Sequence, residues 1–200
     1  MPAVTHPEAG FFCETARTDE TVPSPFADDA TRNMATMIYY LLTPDSPQGK
    51  MHMNKSITYH LLHQGRAKYT LIRPSPAGSS DTAPEIKHVV MGHDSERGEV
   101  RQLVVEGGWW KASEIPEEDL QEGEAGDERD RTGCLITRTV SYRPDTRSAR
   151  ASNSRICQVV VPGFDFEDHQ FLTKRGLVEL FHGNASLPEV RDLLRYTQEP

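Results

Sequence analysis

The stretch His52-Met53-Asn54-Lys55-Ser56-Ile57-Thr58-Tyr59-His60-Leu61-Leu62-His63-Gln64-Gly65 decides the fold. Side chains of a strand alternate between its two faces. If Thr58 points into a barrel, His60 and Leu62 point in with it, and His63 points out. On the strand before it, His52 and Asn54 share one face. The spacing therefore predicts that His52, Asn54, Thr58 and His60 form one wall of an interior cavity.

Further blocks surround this stretch. His6-Pro7-Glu8-Ala9-Gly10-Phe11-Phe12-Cys13-Glu14-Thr15 lies near the start, and Met37-Ile38-Tyr39-Tyr40-Leu41-Leu42 comes before the stretch. Gln102-Leu103-Val104-Val105-Glu106-Gly107-Gly108-Trp109-Trp110-Lys111 follows it, and Val161-Pro162-Gly163-Phe164-Asp165-Phe166-Glu167-Asp168 closes the series. With these blocks the chain resembles the small single-domain cupins of bacteria and fungi. The resemblance implies an all-β double-stranded β-helix, a jelly-roll barrel with short C-terminal helices. In that family the first motif carries two histidines, a glutamate and a glycine. Here His52 keeps the first place, Asn54 and Thr58 stand at the second and third, and Gly65 keeps the last. In the second motif Glu106 stands at a proline place and Lys111 at the final ligand place. The frame is retained, while three of the four usual metal-ligand places are changed. The resemblance also implies a homodimer, and a carbonyl-containing, polyketide-like secondary metabolite as substrate.

Composition narrows the function classes. A chain of 200 residues suits one domain. The expected organisation is a cupin barrel over 1–172, carrying a polar insertion over 117–157, and a C-terminal helical extension over 173–200. A net charge of −8 without a basic stripe argues against nucleic acid. No apolar run approaches the ~18 residues that span a bilayer, and the start has no basic-then-apolar signal pattern. Cys13, Cys134 and Cys157 lack paired metal-type spacing, so reduced thiols and a cytoplasmic location are expected.

Strands are predicted at 35–42, 69–73, 88–91 and 102–105, where apolar runs meet turn signals. Helical spacing recurs over Leu187–Gln198, and more weakly over Thr173–Phe181. Glu117–Asp130 is acidic and nearly free of apolar residues, so it reads as a solvated loop. Residues 138–157 are rich in Arg and Ser and interrupt Gly133–Thr137 and Val159–Gly163, which look like two halves of one strand. A long loop, an arm exchanged between subunits or an unspliced intron each explain that interruption.

The expected chemistry is proton transfer without metal or other cofactor. His52 and His60 act as general base or acid, since imidazole titrates near neutral pH. Lys111 steadies an enolate or oxyanion. Expected substrate contacts are Glu14, Arg17, Tyr39, Asn54, Thr58, Gln102 and Trp109. Glu14 and Arg17 also read as a structural ion pair. Trp109 and Trp110, on one strand, must face opposite ways. A metallo-cupin dioxygenase with His52 and His60 as ligands is the second reading, and a non-catalytic small-molecule binder the third.

Overall fold

The computed structural model describes residues 4–5, 9–27, 30–76, 83–123 and 154–198. In chain order the strands are β1 (Val4–Thr5), β2 (Phe11–Arg17), β3 (Thr21–Pro23), β4 (Thr31–Asn33), β5 (Thr36–Leu42), β6 (His52–Asn54) and β7 (Ile57–Gln64). They continue as β8 (Ala67–Arg73), β9 (Glu85–Met91), β10 (Gln102–Val105), β11 (Trp110–Glu114), β12 (Ser154–Val161) and β13 (His169–Phe171). The helices are α1 (Glu117–Gly123), α2 (Lys174–Leu180) and α3 (Pro188–Leu193).

Two antiparallel sheets face each other. One has the order β1-β2-β5-β12-β7-β10, the other β13-β6-β11-β8-β9. The chain passes from the first sheet to the second between β7 and β8. Gly65 makes that passage with φ +76°, a left-handed conformation in which a Cβ is strained. The glycine of the opening stretch therefore sits where the jelly roll turns its corner.

Register decides which side chains point inward. Thr58, His60 and Leu62 lie opposite Val160, Gln158 and Ile156 of β12. Thr58 and His60 also lie opposite Val105 and Leu103 of β10. Leu62, Ile156 and Val105 are buried in one apolar cluster with Tyr69 and Leu71 of the facing sheet, so this face is the barrel interior. On the second sheet His52 lies opposite Lys111, and Lys111 opposite Leu71. The alternate residues Met53, Trp110 and Ile72 point the other way. They meet Leu177, Phe181, Val190, Leu193 and Tyr196 of the C-terminal helices.

Those helices follow local rules. The Thr173 side chain accepts from the Gly176 backbone and caps α2. Pro188 opens α3, where its missing N–H costs nothing. The expected helix over 187–198 ends earlier, at Leu193, and tightens into a 3-10 turn over Leu194–Tyr196. Leu177 is wholly buried beneath these helices. Leu177→Ala is expected to lower stability by about 2–5 kcal/mol, as large-to-small core substitutions do. A urea melt reads this, and a change below about 0.5 kcal/mol means that α2 does not pack on the sheet.

Two expectations are corrected. The acidic stretch expected to be a loop begins as the helix α1. Its first turn holds Glu117, Glu118 and Asp119, which the helix dipole favours there. Arg66 holds Asp119 at 2.8 Å and Glu118 at 3.2 Å. Leu120 supplies an apolar anchor against the cluster of Tyr40, Leu42 and Ile115. Residues 124–130 lie outside the described residues.

The second correction concerns the interruption read as 138–157. Its last four residues, Ser154–Cys157, belong to β12 and pair with β5 from Leu42 to Tyr39. Ser154 and Ile156 have no exposed surface. Sequence pattern alone saw a polar run, because Ser154 and Arg155 flank the single apolar Ile156. Gly133–Thr137 and residues 138–153 lie outside the described residues.

Candidate functional site

Inside the barrel, polar groups from four strands converge. Lys111 Nζ of β11 donates to Thr58 Oγ1 of β7 at 3.0 Å. Asn54 Nδ2 of β6 lies 3.5 Å from the same hydroxyl. Tyr69 of β8 shares a hydrogen bond with His60 Nδ1 at 3.1 Å, their rings edge to face at 5.1 Å. Thr58, His60 and Lys111 are 0%, 1% and 2% exposed, so they form the floor. His52 and Asn54, each 7% exposed, are only slightly less buried. Gln158 of β12 is buried and lies opposite His60, on the same face.

The geometry sets the His52 tautomer. His52 Nδ1 lies 2.9 Å from the Lys50 carbonyl oxygen, which can only accept. Nδ1 therefore carries the hydrogen, and in the neutral ring Nε2 carries the lone pair. A base so fixed is the arrangement that proton abstraction requires. Among the described residues, Asn54 Oδ1 is buried without a hydrogen-bond partner. An acceptor left that way is costly until a donor from outside the protein meets it.

The β10–β11 turn places Lys111. Gly107 packs against the Lys55 carbonyl so closely that a Cβ would overlap it, and Gly108 has φ +80°. Both glycines are needed because the turn must lie flat on the chain between β6 and β7.

An aromatic rim adjoins the polar group at His52. His52 stacks on His169 at 5.4 Å. His169 meets Phe171 at 4.7 Å and Phe164 at 5.5 Å, edge to face. Phe166 packs on Phe164 at 5.0 Å and is 69% exposed. Ion pairs pin this rim to the β3–β4 hairpin. Arg32 reaches Asp168 at 2.9 Å and Glu167 at 2.8 Å, and Lys55 reaches Asp168 at 3.4 Å. Asp165 caps the 3-10 turn Phe166–Asp168 by accepting from the Glu167 N–H.

The structure brings His52, Asn54, Thr58, His60 and Lys111 together. Glu14 and Arg17 form a two-pronged pair at 2.8 and 3.0 Å. Arg17 also reaches Asn33 at 2.8 Å and the Phe164 carbonyl at 3.5 Å, so the pair braces the rim. Trp109 packs on the interior cluster under Lys87, whose ammonium lies 4.9 Å from the ring centroid. Trp110 turns to the helices instead. Tyr39 and Gln102 are not brought to the site. Tyr39 lies opposite Cys13 and Cys157, and Gln102 opposite Leu61, all on the outer face of the first sheet. The outward His63 meets Tyr39 there at 5.5 Å.

Sequence reasoning missed Tyr69, Gln158, His169 and Phe171. Tyr69 was legible as a strand residue, but alternation could not say which face of that strand is inside. No motif singles out His169. The Cys157 thiol is a poor nucleophile, since burial pushes its pKa up. Cys13 and Cys157 are in no disulfide among the described residues, and Cys134 lies outside them.

A metal is the usual tenant of a cupin barrel. The donors here do not fit one. Asn54 and Thr58 are weak ligands, and an ammonium at Lys111 presents hydrogens rather than a lone pair. Among the described residues no three His, Cys, Asp or Glu side chains converge as ligands would.

Residues 4–172 match the family described as Cupin superfamily (DUF985). The chain belongs to that family. An uncharacterised protein of Saccharomyces cerevisiae, YML079W, is 37% identical over 188 residues, covering 90% of this chain and 74% of that protein. Among solved structures, a hypothetical protein from Leishmania major superposes with a TM-score of 0.68 at 23% identity, over 99% of this chain and 94% of that one. Protein SO0799 from Shewanella oneidensis superposes with a TM-score of 0.62 at 17% identity, over 99% of this chain and 92% of that one. These likenesses, with the antiparallel sheets, establish the cupin jelly roll with short helices. Among the described residues no helix is long and apolar enough to cross a membrane.

Proposed function

We propose that this cupin is a metal-independent enzyme that isomerises, dehydrates or cyclises a small carbonyl compound by proton transfer. One observation carries the reading. His52, its tautomer set by the Lys50 carbonyl, stands between the aromatic rim and a buried polar floor that holds an ammonium. A carbonyl compound entering past Phe166 meets His52 Nε2 first. His52 takes a proton from the carbon next to the carbonyl. Lys111 steadies the charge that develops on oxygen, in a site poor in water. The His60–Tyr69 pair returns a proton to a second position. The buried Asn54 Oδ1 takes a donor of the substrate. A polyketide-like metabolite, as the family resemblance implies, has the required carbonyls.

The first test is a mass spectrum of small molecules extracted from the purified protein. The compound found is then incubated with the enzyme in D2O. Enzyme-dependent deuterium uptake beside the carbonyl is the expected result. Binding without exchange favours a second reading, a non-catalytic ligand-binding cupin, which the near-complete burial of Thr58, His60 and Lys111 also suits.

The partner most in keeping with the surface is a second copy of this chain. The outer face of the second sheet is covered by α2 and α3, while the first sheet has no such cover among the described residues. Its outer face shows Tyr39, Tyr59, Val104 and Val161, at 38%, 41%, 48% and 36% exposure. Contiguous apolar surface of this kind marks interfaces. Light scattering should give twice the 22.5 kDa chain mass, and Tyr59→Glu with Val104→Glu should give the monomer. A wild-type monomer at micromolar concentration sinks this assignment.

A further inference from the structure

Behind the second sheet, away from His52 and Lys111, lies a cleft of about 560 Å³ between β8, β9 and α3. Register places it outside the barrel, because Thr70 and His88 lie opposite one another and Thr70 opposite the outward Ala112. We propose that this cleft is a second binding site, for a small organic carboxylate with an apolar body.

The floor is amphipathic. Leu193 and Tyr196 are buried there, and Ile86 is half-buried. Thr70 Oγ1 bonds His88 Nδ1 at 3.2 Å. Three of the lining residues are cations, Lys68, Arg191 and Arg195, against two carboxylates, Glu189 and Asp192. Lys68 and Arg195 flank Glu114 at 3.5 and 2.9 Å, and the Arg195 guanidinium lies 4.6 Å over the Tyr196 ring. Glu114 is already engaged by these two and by the Tyr196 hydroxyl at 2.8 Å. Glu189, Arg191 and Asp192 line the cleft from exposed positions of α3, and His88 and Arg195 are exposed as well. Water screens charges there.

The His88 pKa is lowered first by burial, then by Lys68; Glu114 opposes the shift and Arg195 adds to it. A ligand carboxylate fits between Lys68, His88 and Arg195, with its apolar part on Tyr196, Leu193 and Ile86. The size is right, since small-molecule sites run about 300–1,000 Å³ and combine an apolar lining with a few polar groups. The inference is independent of any chemistry in the barrel.

Benzoate is the probe. It is titrated into the full chain while the His88 imidazole signals are followed by NMR, with His88→Asn used to assign them. The expected result is a saturable shift, with the His88 pKa moving upward as the bound carboxylate favours the imidazolium. Lys68→Ala should weaken binding about tenfold, the effect of losing one charged hydrogen bond. Arg195→Gln should do the same, and serves if Lys68→Ala fails to fold. Benzylamine should leave the His88 signals unmoved. The proposal is overturned if benzoate gives no saturable shift, if both folded variants bind it as the wild type does, or if benzylamine matches benzoate.

Discussion

Replacing His52 by alanine is expected to cut turnover about 10²- to 10⁴-fold, the range that a positioned general base contributes. Substrate affinity should change far less, because most of the contact surface lies elsewhere. The rim of Phe164, Phe166, His169 and Phe171 remains, as does the floor of Asn54, Thr58 and Lys111. His60→Ala should show the same pattern with a further signature. The Tyr69 hydroxyl then loses its ring partner at 3.1 Å inside the barrel, so some stability is lost as well. The measurement is kcat and KM for each folded variant, on the compound that co-purifies. Equal turnover in both variants rules out proton transfer by these imidazoles and leaves the binding reading. Lys111→Met tests the third role. It keeps the length of a buried side chain and removes the charge, so a fall in kcat without a rise in KM assigns Lys111 to the developing oxyanion.

The second large effect concerns the interruption before β12. Deleting residues 138–153 should leave a cooperatively melting protein, because the entropy of closing a loop grows only slowly with its length. Deleting 138–157 should not. It removes Ser154–Cys157, which pair with β5 on one side, while Arg155, Ile156 and Cys157 also pair with β7 on the other. Ile156 alone is fully buried in the interior cluster, and loss of one such side chain costs about 2–5 kcal/mol. A whole domain is stable by only about 5–15 kcal/mol. Circular dichroism melts of the two deletions separate the outcomes. Collapse of the shorter deletion assigns part of 138–153 to the folded core or to an arm held by another subunit. Folding of the longer one shows that β12 can draw substitute residues from the preceding chain.

The opening stretch made the barrel legible because its information is local. Alternation along one strand places Thr58, His60 and Leu62 on one face whatever the rest of the chain does, and Gly65 marks the corner. The changed ligand places were also readable residue by residue, and with them the misfit to a metal. The strands expected at 35–42, 69–73, 88–91 and 102–105 from apolar runs between turn signals correspond to β5, β8, β9 and β10, with ends shifted by up to three residues. What the sequence could not supply was the face. A strand's period says that Tyr69 and Leu71 share a side, but not that this side meets His60. Pairing with strands distant in sequence decides that. The same parity sent Tyr39 and Gln102 outward and divided Trp109 from Trp110. His169 joined the site only because β13 pairs with β6 across more than a hundred residues of chain. The helix α1 and the first residues of β12 went unread for a related reason. Their stability comes from Arg66, from the cluster around Ile115 and from the flanking strands, none of which is local. Local sequence thus supplied short strands, a resemblance to the cupins that implied the jelly roll, and an alternation that put Thr58 and His60 on one face. Only tertiary pairing decided which side chains share the interior, since burial is a property of two surfaces meeting and not of either alone.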